Sequence, residues 1–338
     1  MKNKFESARH FTVDDEYPLR PEQAGAYKTE TYNQWVYDPV QDIGLNIWYA
    51  SSDGVFPNFM STVIVFIKGE TFVAKSQGDG NHANGVAAGN ALLTIVEPFK
   101  HLQIEFLGLL RRNDGKSDPF AANSDGERLL SRMNLRVDIV SPAIEQGTEG
   151  DRGEVASSGT VPRTALRYEQ LCRISGPIEI GNRRIELNAL GMRSHRRNSA
   201  SIYASGAVGH TWVSGLFPSG HGFNFTTYMV QPDAELSSVS CHYFDGKIYH
   251  DAELLQFPYY SGATGKEQST LAMRVNGKVL EVKIESLPPL LGIIPPQGVR
   301  LSRSAARFTL NGEVGGGVLE RSLMPQFQGN RDYIASAR

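Results

Sequence analysis

The stretch Ile174 to His195, ISGPIEIGNRRIELNALGMRSH, decides the fold. It reads as two strands around a Gly181-Asn182 turn, because apolar residues recur at every second position on either side of a dipeptide suited to tight reversal. The hairpin ends in Arg193-Ser194-His195 at the strand exit, where titratable chemistry is concentrated in an otherwise ordinary composition.

The same pattern extends in both directions. Short alternating or continuous apolar runs, such as Thr31 to Tyr37, Leu45 to Ala50, Ser61 to Ile67 and Leu102 to Leu110, are separated by Gly, Pro, Asn and Asp. Helical periodicity is scarce. Farther on, Asp245-Gly246, Asn276-Gly277 and Asn311-Gly312 supply the positive φ angles that two-residue hairpin loops demand. The second half therefore reads as an antiparallel meander. The segment Arg111 to Arg128 reads as a long surface loop, with one or two helical turns at Glu127 to Met133. Glu145 to Pro162 is polar and Gly-rich, too poor in large apolar residues to order itself, and marks the expected boundary between domains 1–155 and 156–338. Two all-β units of this size are most economically antiparallel barrels, since closure removes exposed strand edges and leaves room for one small ligand. The Gly-rich run Gly312 to Glu320 opens no helix and reads as a bent barrel strand where side chains would collide.

Composition narrows the function. With 36 acidic against 34 basic residues in a chain of 338, no broad positive surface is available for a phosphate backbone, which argues against nucleic acid. The first residues lack an apolar signal core and no window suits a membrane span, so a cytoplasmic protein is expected. Cys172 and Cys241 stand alone and read as buried thiols rather than a disulfide or a zinc site. No metal-ligand spacing, nucleophile elbow, phosphate loop or dinucleotide fingerprint occurs, so neither metal nor cofactor is expected.

The candidate site residues follow from residue chemistry. An imidazole titrates near neutrality, and a strand end would place His195 at a barrel mouth within reach of substrate. Flanking Arg193, Arg196 and Arg197 would lower its pKa by like-charge repulsion. Arg193 and Arg197 also offer planar forks for a ligand carboxylate. As catalytic residues, His195 is the candidate for proton transfer and Tyr228 or Arg193 for polarising a substrate oxygen. Trp48, Tyr203, His210, Trp212 and Phe225 lie on expected strands and are candidates for lining an apolar cavity, with His210 and Trp212 spaced to share a face.

ETYNQWVYDP, FIKGETF, LLTIVEPFKHLQIEFLG, YEQLCRISGPIEIGNRRIELNALGMRSHR and LNGEVGGGVLE, in that order, resemble the tandem lipocalin-like superfamily that includes carotenoid hydratases and attachment-protein-like double lipocalins. The resemblance is to its two-domain bacterial branch and runs over nearly the whole chain. It implies two lipocalin-like barrels, an apolar cleft in or between them and, as in the characterised enzymes, acid–base addition of water to a carbon–carbon double bond or a related cyclisation. That branch carries an Arg-Asp-His-Ser-Trp-Gly-x-Arg run, which falls here on residues 193–200. Arg193 and His195 match, whereas Ser194, Arg197, Asn198 and Ala200 replace the Asp, Trp, Gly and final Arg. The resulting expectation is a cofactor-independent lyase or isomerase, hydratase- or dehydratase-like, acting on a terpenoid, steroid or aromatic metabolite. The alternative is a non-catalytic carrier of such a ligand. The expected partner is a hydrophobic small molecule, with a carboxylate or without one, and a homodimer is admissible.

Overall fold

The computed structural model describes residues 11–20, 27, 29–51, 58–79, 81–82, 84–113, 125–145, 165–198, 207–229, 238–294 and 298–327. Most of these are strand and every strand pair is antiparallel, the rest being turns, bends and irregular segments; the helical elements among the described residues are 3-10 turns at Val13–Asp15 and Pro325–Phe327. None of them forms a helix long and apolar enough to cross a membrane.

Eight strands close a ring. Thr29–Asp38, Ile43–Ser51, Asn58–Ile67 and Glu70–Asp79 follow one another by hairpins, and the last pairs with His101–Arg112 through Phe72 and Val73. From there the ladder passes through Arg128–Ile139, Ala165–Ile180 and Arg183–Asn198, and returns to Thr29–Asp38 where Met192 faces Trp35. The Gly181-Asn182 hairpin expected from sequence is thus present, with arms that extend to Ala165 and Asn198. The second sheet runs from Tyr249–Asp251 through Ser238–Phe244, Gly222–Met229, Gly209–Leu216, Glu313–Leu323, Val299–Leu310, Lys278–Ser286 and Glu267–Val275 to Glu253–Gln256. Its two outermost strands are joined by the single residue Ala252, whose N–H donates to the Cys241 carbonyl at 2.9 Å, so this barrel is nearly closed. Two tandem lipocalin-like barrels result.

Local chemistry explains the corners. Asn276-Gly277 and Asn311-Gly312 hold φ of 48° and 79°, and of 51° and 85°, the paired positive values that match the strand twist. Asp245-Gly246 differs from expectation: only Gly246 has positive φ, and the Asp245 carboxylate accepts from the N–H groups of Lys247 and Ile248 at 2.9 Å each, building a longer Asx corner. The helical turns expected at Glu127 to Met133 are instead the strand Arg128–Ile139. There Met133, Leu135 and Val137 face inward and Arg132, Asn134 and Arg136 face water, a period of two that outweighs the local leucine spacing. The stretch around Tyr203, expected as a strand, lies outside the described residues.

The sheets change over between Asn198 and Gly209, not at 155/156, and both arms of the quoted hairpin belong to the first sheet. The polar segment after Glu145 is therefore a connection between strands of one sheet. Three apolar cores follow. One fills the first barrel around Leu45, Phe59 and Ile104; another fills the second around Phe223, Leu271 and Phe308. Between them Trp35, Leu190, Met192, Trp212, Leu216 and Val318 form a seam where the outer faces of the barrels meet. Strands of the seam are buried on both faces, hence the continuous burial of Gln34 to Asp38 and of Gly209–Leu216. Gly316 makes the close approach possible: a Cβ there would sit 2.2 Å from the Tyr37 carbonyl oxygen, the collision expected of the Gly-rich run.

Candidate functional site

Strand alternation sorts the polar residues of the hairpin into two groups. Arg193, His195 and Arg197 point into the first barrel, on the side of Ala189; Ser194 and Arg196 point to the seam, on the side of Met192. The register sets Tyr32 and Tyr168 directly opposite His195 on its two neighbouring strands.

Inside the barrel the polar groups form a closed network. The segment following the Val13–Asp15 turn brings Glu16 into the barrel end, where Arg193 grips both carboxylate oxygens at 2.5 and 2.7 Å. Arg193 also donates to Gln170, and the Tyr168 hydroxyl donates to Glu16 at 3.1 Å. Glu30 accepts from Arg197 Nε at 2.9 Å and from the Leu19 N–H at 2.9 Å. His195 is wholly enclosed. Its Nε2 lies 2.9 Å from Glu30, its Nδ1 lies 3.2 Å from the Tyr168 hydroxyl, and its ring stacks on Tyr32 at 3.9 Å.

This corrects three expectations. His195 is not at a mouth open to substrate. Its pKa is indeed lowered, but burial is the first cause, with Arg197 secondary and Glu30 opposing. Arg193 and Arg197 are occupied by Glu16 and Glu30, so neither fork is open to a ligand. Burial works against ionisation of both carboxyls, yet Arg193 holds Glu16, and His195 with Arg197 hold Glu30, below the usual carboxylate range.

The seam gathers a second group. His210, Trp212, Tyr228 and Trp48 all face it, so four of the residues singled out from sequence come together there. Phe225 instead packs inside the second barrel against Phe257, because it alternates with Asn224 and Thr226. Tyr203 lies outside the described residues. His210 is fixed through both nitrogens: Nε2 to Glu320 at 2.9 Å and Nδ1 to the Ser322 hydroxyl at 2.6 Å. Arg303 donates to the other oxygen of Glu320 at 2.5 Å and lies over the Trp48 ring at 5.2 Å, joining the barrels.

Beside them stands Glu169, fully enclosed, on the strand Ala165–Ile180. Its Oε2 accepts from Asn224 Nδ2 at 2.8 Å and from Ser214 at 3.1 Å, across the seam, whereas its Oε1 has no partner. Around it Asn224 Oδ1, Trp212 Nε1 and both Nε and Nη2 of Arg196 are likewise buried and unpartnered. Arg196 sits 4.3 Å over the Trp212 ring. Burial raises the Glu169 pKa, against the opposing influence of Arg196, Asn224 and a Trp212 indole that falls short of a hydrogen bond. Unpartnered atoms elsewhere are dispersed: Gln34 and Tyr49 in the first barrel, Thr227, Ser269 and Arg321 in the second, and Arg112 on a rim. The sequence reading missed Glu169, Asn224 and Glu320 altogether. Alternation sets Glu169 on one face with Leu171, between Arg167 and Arg173, so nothing local marks its carboxylate as buried.

Comparison with known proteins agrees on architecture. An AttH-like protein of Nitrosomonas europaea shares the fold at a TM-score of 0.54 and 13% identity, over 88% of this chain and 92% of that one. Kievitone hydratase from Nectria haematococca does so at 0.53 and 10%, over 95% and 94%. These identities show the tandem lipocalin-like fold and nothing finer. No curated protein matches the sequence. A family model described as a domain of unknown function, DUF7064, matches residues 12–324.

Proposed function

The chain belongs to the DUF7064 family, and on that premise we propose that it binds a hydrophobic small molecule in the seam between its barrels and performs cofactor-independent acid–base chemistry there, of the hydratase, dehydratase or isomerase kind. One observation carries the reading: five buried polar atoms of Glu169, Arg196, Trp212 and Asn224 lack partners in one place. Each such atom costs about 1–3 kcal/mol, so a cluster of them is tolerated where a ligand supplies the missing bonds.

The arrangement defines roles. Ser214 and Asn224 donate to Glu169 Oε2, which leaves the acid proton on Oε1, the oxygen with no acceptor. Burial keeps that proton in place at higher pH than for an ordinary carboxyl, as a general acid requires. In a hydration, Oε1 delivers its proton to one carbon of a double bond, water adds to the other carbon, and the added water returns a proton to the carboxylate. Arg196 and Trp212 offer N–H groups to an oxygen of the substrate, and the Trp212 face shields positive charge developing on carbon. His210 is held in orientation by Glu320 and Ser322 on the same face. In this reading His195 and Arg193 support the barrel, and Tyr228 and Trp48 line the site. Kievitone hydratase shares the fold, which makes hydration the first chemistry to assay.

Mass spectrometry of small molecules extracted from the purified protein identifies the occupant, and incubation with that compound tests turnover. Glu169→Gln keeps the shape and removes the acid, so it should retain the ligand and lose about 100- to 10,000-fold in rate. Ligand recovered chemically intact from the native protein would establish a carrier instead. Wild-type turnover by the Gln variant would remove Glu169 from the chemistry.

A further inference from the structure

Arg167 and Arg196 stand directly opposite each other on the adjacent strands Ala165–Ile180 and Arg183–Asn198, both on the seam face. Like charges so placed repel and destabilise a strand pair unless an anion separates them. Among the described residues neither arginine forms an ion pair. Arg167 donates only to the neutral Asn198, at 2.9 Å, and Arg196 leaves Nε and Nη2 without acceptors. The facing barrel opposes them with aromatic rings: Trp212 lies 4.3 Å from the Arg196 guanidinium carbon and Tyr228 lies 5.9 Å from that of Arg167.

The nearby carboxylates do not neutralise this pair. Glu320 is committed to Arg303 and His210. Glu169 directs Oε2 to Asn224 and Ser214, and its burial favours the uncharged acid. The Nε and Nη2 groups of a guanidinium lie on one edge and match the two oxygens of a carboxylate in a bidentate fork. The seat of Arg196 4.3 Å over the Trp212 ring restrains that fork.

We infer that the seam takes an amphipathic anion, an apolar or conjugated molecule bearing a carboxylate that Arg196 grips side-on with Arg167 as a second positive charge. The inference rests on the seam being the binding site. It replaces the expectation that Arg193 and Arg197 would hold such a group, since the alternate residue of the same strand presents the open fork.

Quenching of tryptophan fluorescence by two matched probe pairs, retinoic acid with methyl retinoate and cinnamic acid with methyl cinnamate, tests it. At least one acid should bind roughly tenfold or more tightly than its ester, as expected for a charge-assisted bidentate contact. Arg196→Gln should erase that preference while leaving ester affinity within a few-fold, and Arg196→Lys, which keeps charge without the fork, should restore part of it. Equal binding of acid and ester by the native protein, with both lost in Trp212→Leu, would overturn the anion while leaving the seam as the site. An acid preference that survives Arg196→Gln would also overturn it. Failure of all four probes to bind would count against both readings.

Discussion

Along Arg183–Asn198, successive side chains belong to two polar clusters of opposite character. The odd-numbered Arg193, His195 and Arg197 enter a barrel interior in which the polar atoms of Glu16, Glu30, Tyr168 and His195 have partners. The even-numbered Arg196 enters a seam where its Nε and Nη2, and an oxygen of Glu169, have none. Both clusters are polar and both draw residues from the strands Ala165–Ile180 and Arg183–Asn198. The difference teaches that burial and perturbed pKa values alone do not mark a site. The barrel network is saturated but for Oε1 of Gln34, opposite Arg193, whereas the seam gathers five unpartnered atoms, which on our proposal a ligand completes.

Removing one guanidinium from each cluster is the hardest test. Arg193→Ala leaves the Glu16 carboxylate buried without its fork and should cost about 3–5 kcal/mol in denaturant unfolding. Arg196→Ala deletes donors that are already unpaired and should cost no more than about 1 kcal/mol, because the desolvation penalty leaves with them. Comparable losses at both positions would mean that the seam is structural too.

Stability against pH should separate the clusters by sign. His195 has a folded pKa below its ordinary 6.5, so the unfolded chain takes the proton first and stability is lost as pH falls below that value. Glu16 and Glu30 have folded pKa values below 4.5; their contribution is complete above it and disappears as pH falls further. Glu169 runs the other way. Its folded pKa lies above 4.5, so the unfolded chain releases the proton first and stability declines as pH rises from 4.5 toward the folded value. The stability of Glu169→Gln relative to the native protein should therefore improve across that window, as unfolding midpoints at stepped pH will show. A difference independent of pH would place a charged Glu169 in the seam.

How far these clusters are legible in the sequence depends on whether local or tertiary physics sets them. Period-two alternation and the Asn276-Gly277 and Asn311-Gly312 turns act over a few residues, and they give an all-β chain of two barrels directly. Alternation also separates His195 from Arg196. Nothing local says which face meets a second barrel, and His195 attracts attention by residue type while its neighbour holds the open fork. Glu16 illustrates the same limit: it lies 177 residues from Arg193 and no spacing rule connects them. The change of sheet between Asn198 and Gly209 is hidden for a related reason, since a polar linker looks alike between sheets and between strands of one sheet.

The smallest effect gives the cleanest comparison, because one atom is deleted twice within one barrel. The Tyr168 hydroxyl bridges Glu16 at 3.1 Å and His195 at 3.2 Å; the Tyr49 hydroxyl, equally enclosed, touches no partner. Tyr168→Phe removes hydrogen bonds to charged and polar groups and should cost about 1–2 kcal/mol. Tyr49→Phe removes a hydroxyl whose burial is already uncompensated, so it should be neutral or stabilising by up to about 1 kcal/mol. Thermal unfolding of the two variants side by side reads the difference with ring size, strand context and barrel held constant. Equal destabilisation would show that an unpartnered buried atom carries no energetic signature of its own in this protein, and the seam and the barrel interior would then be alike.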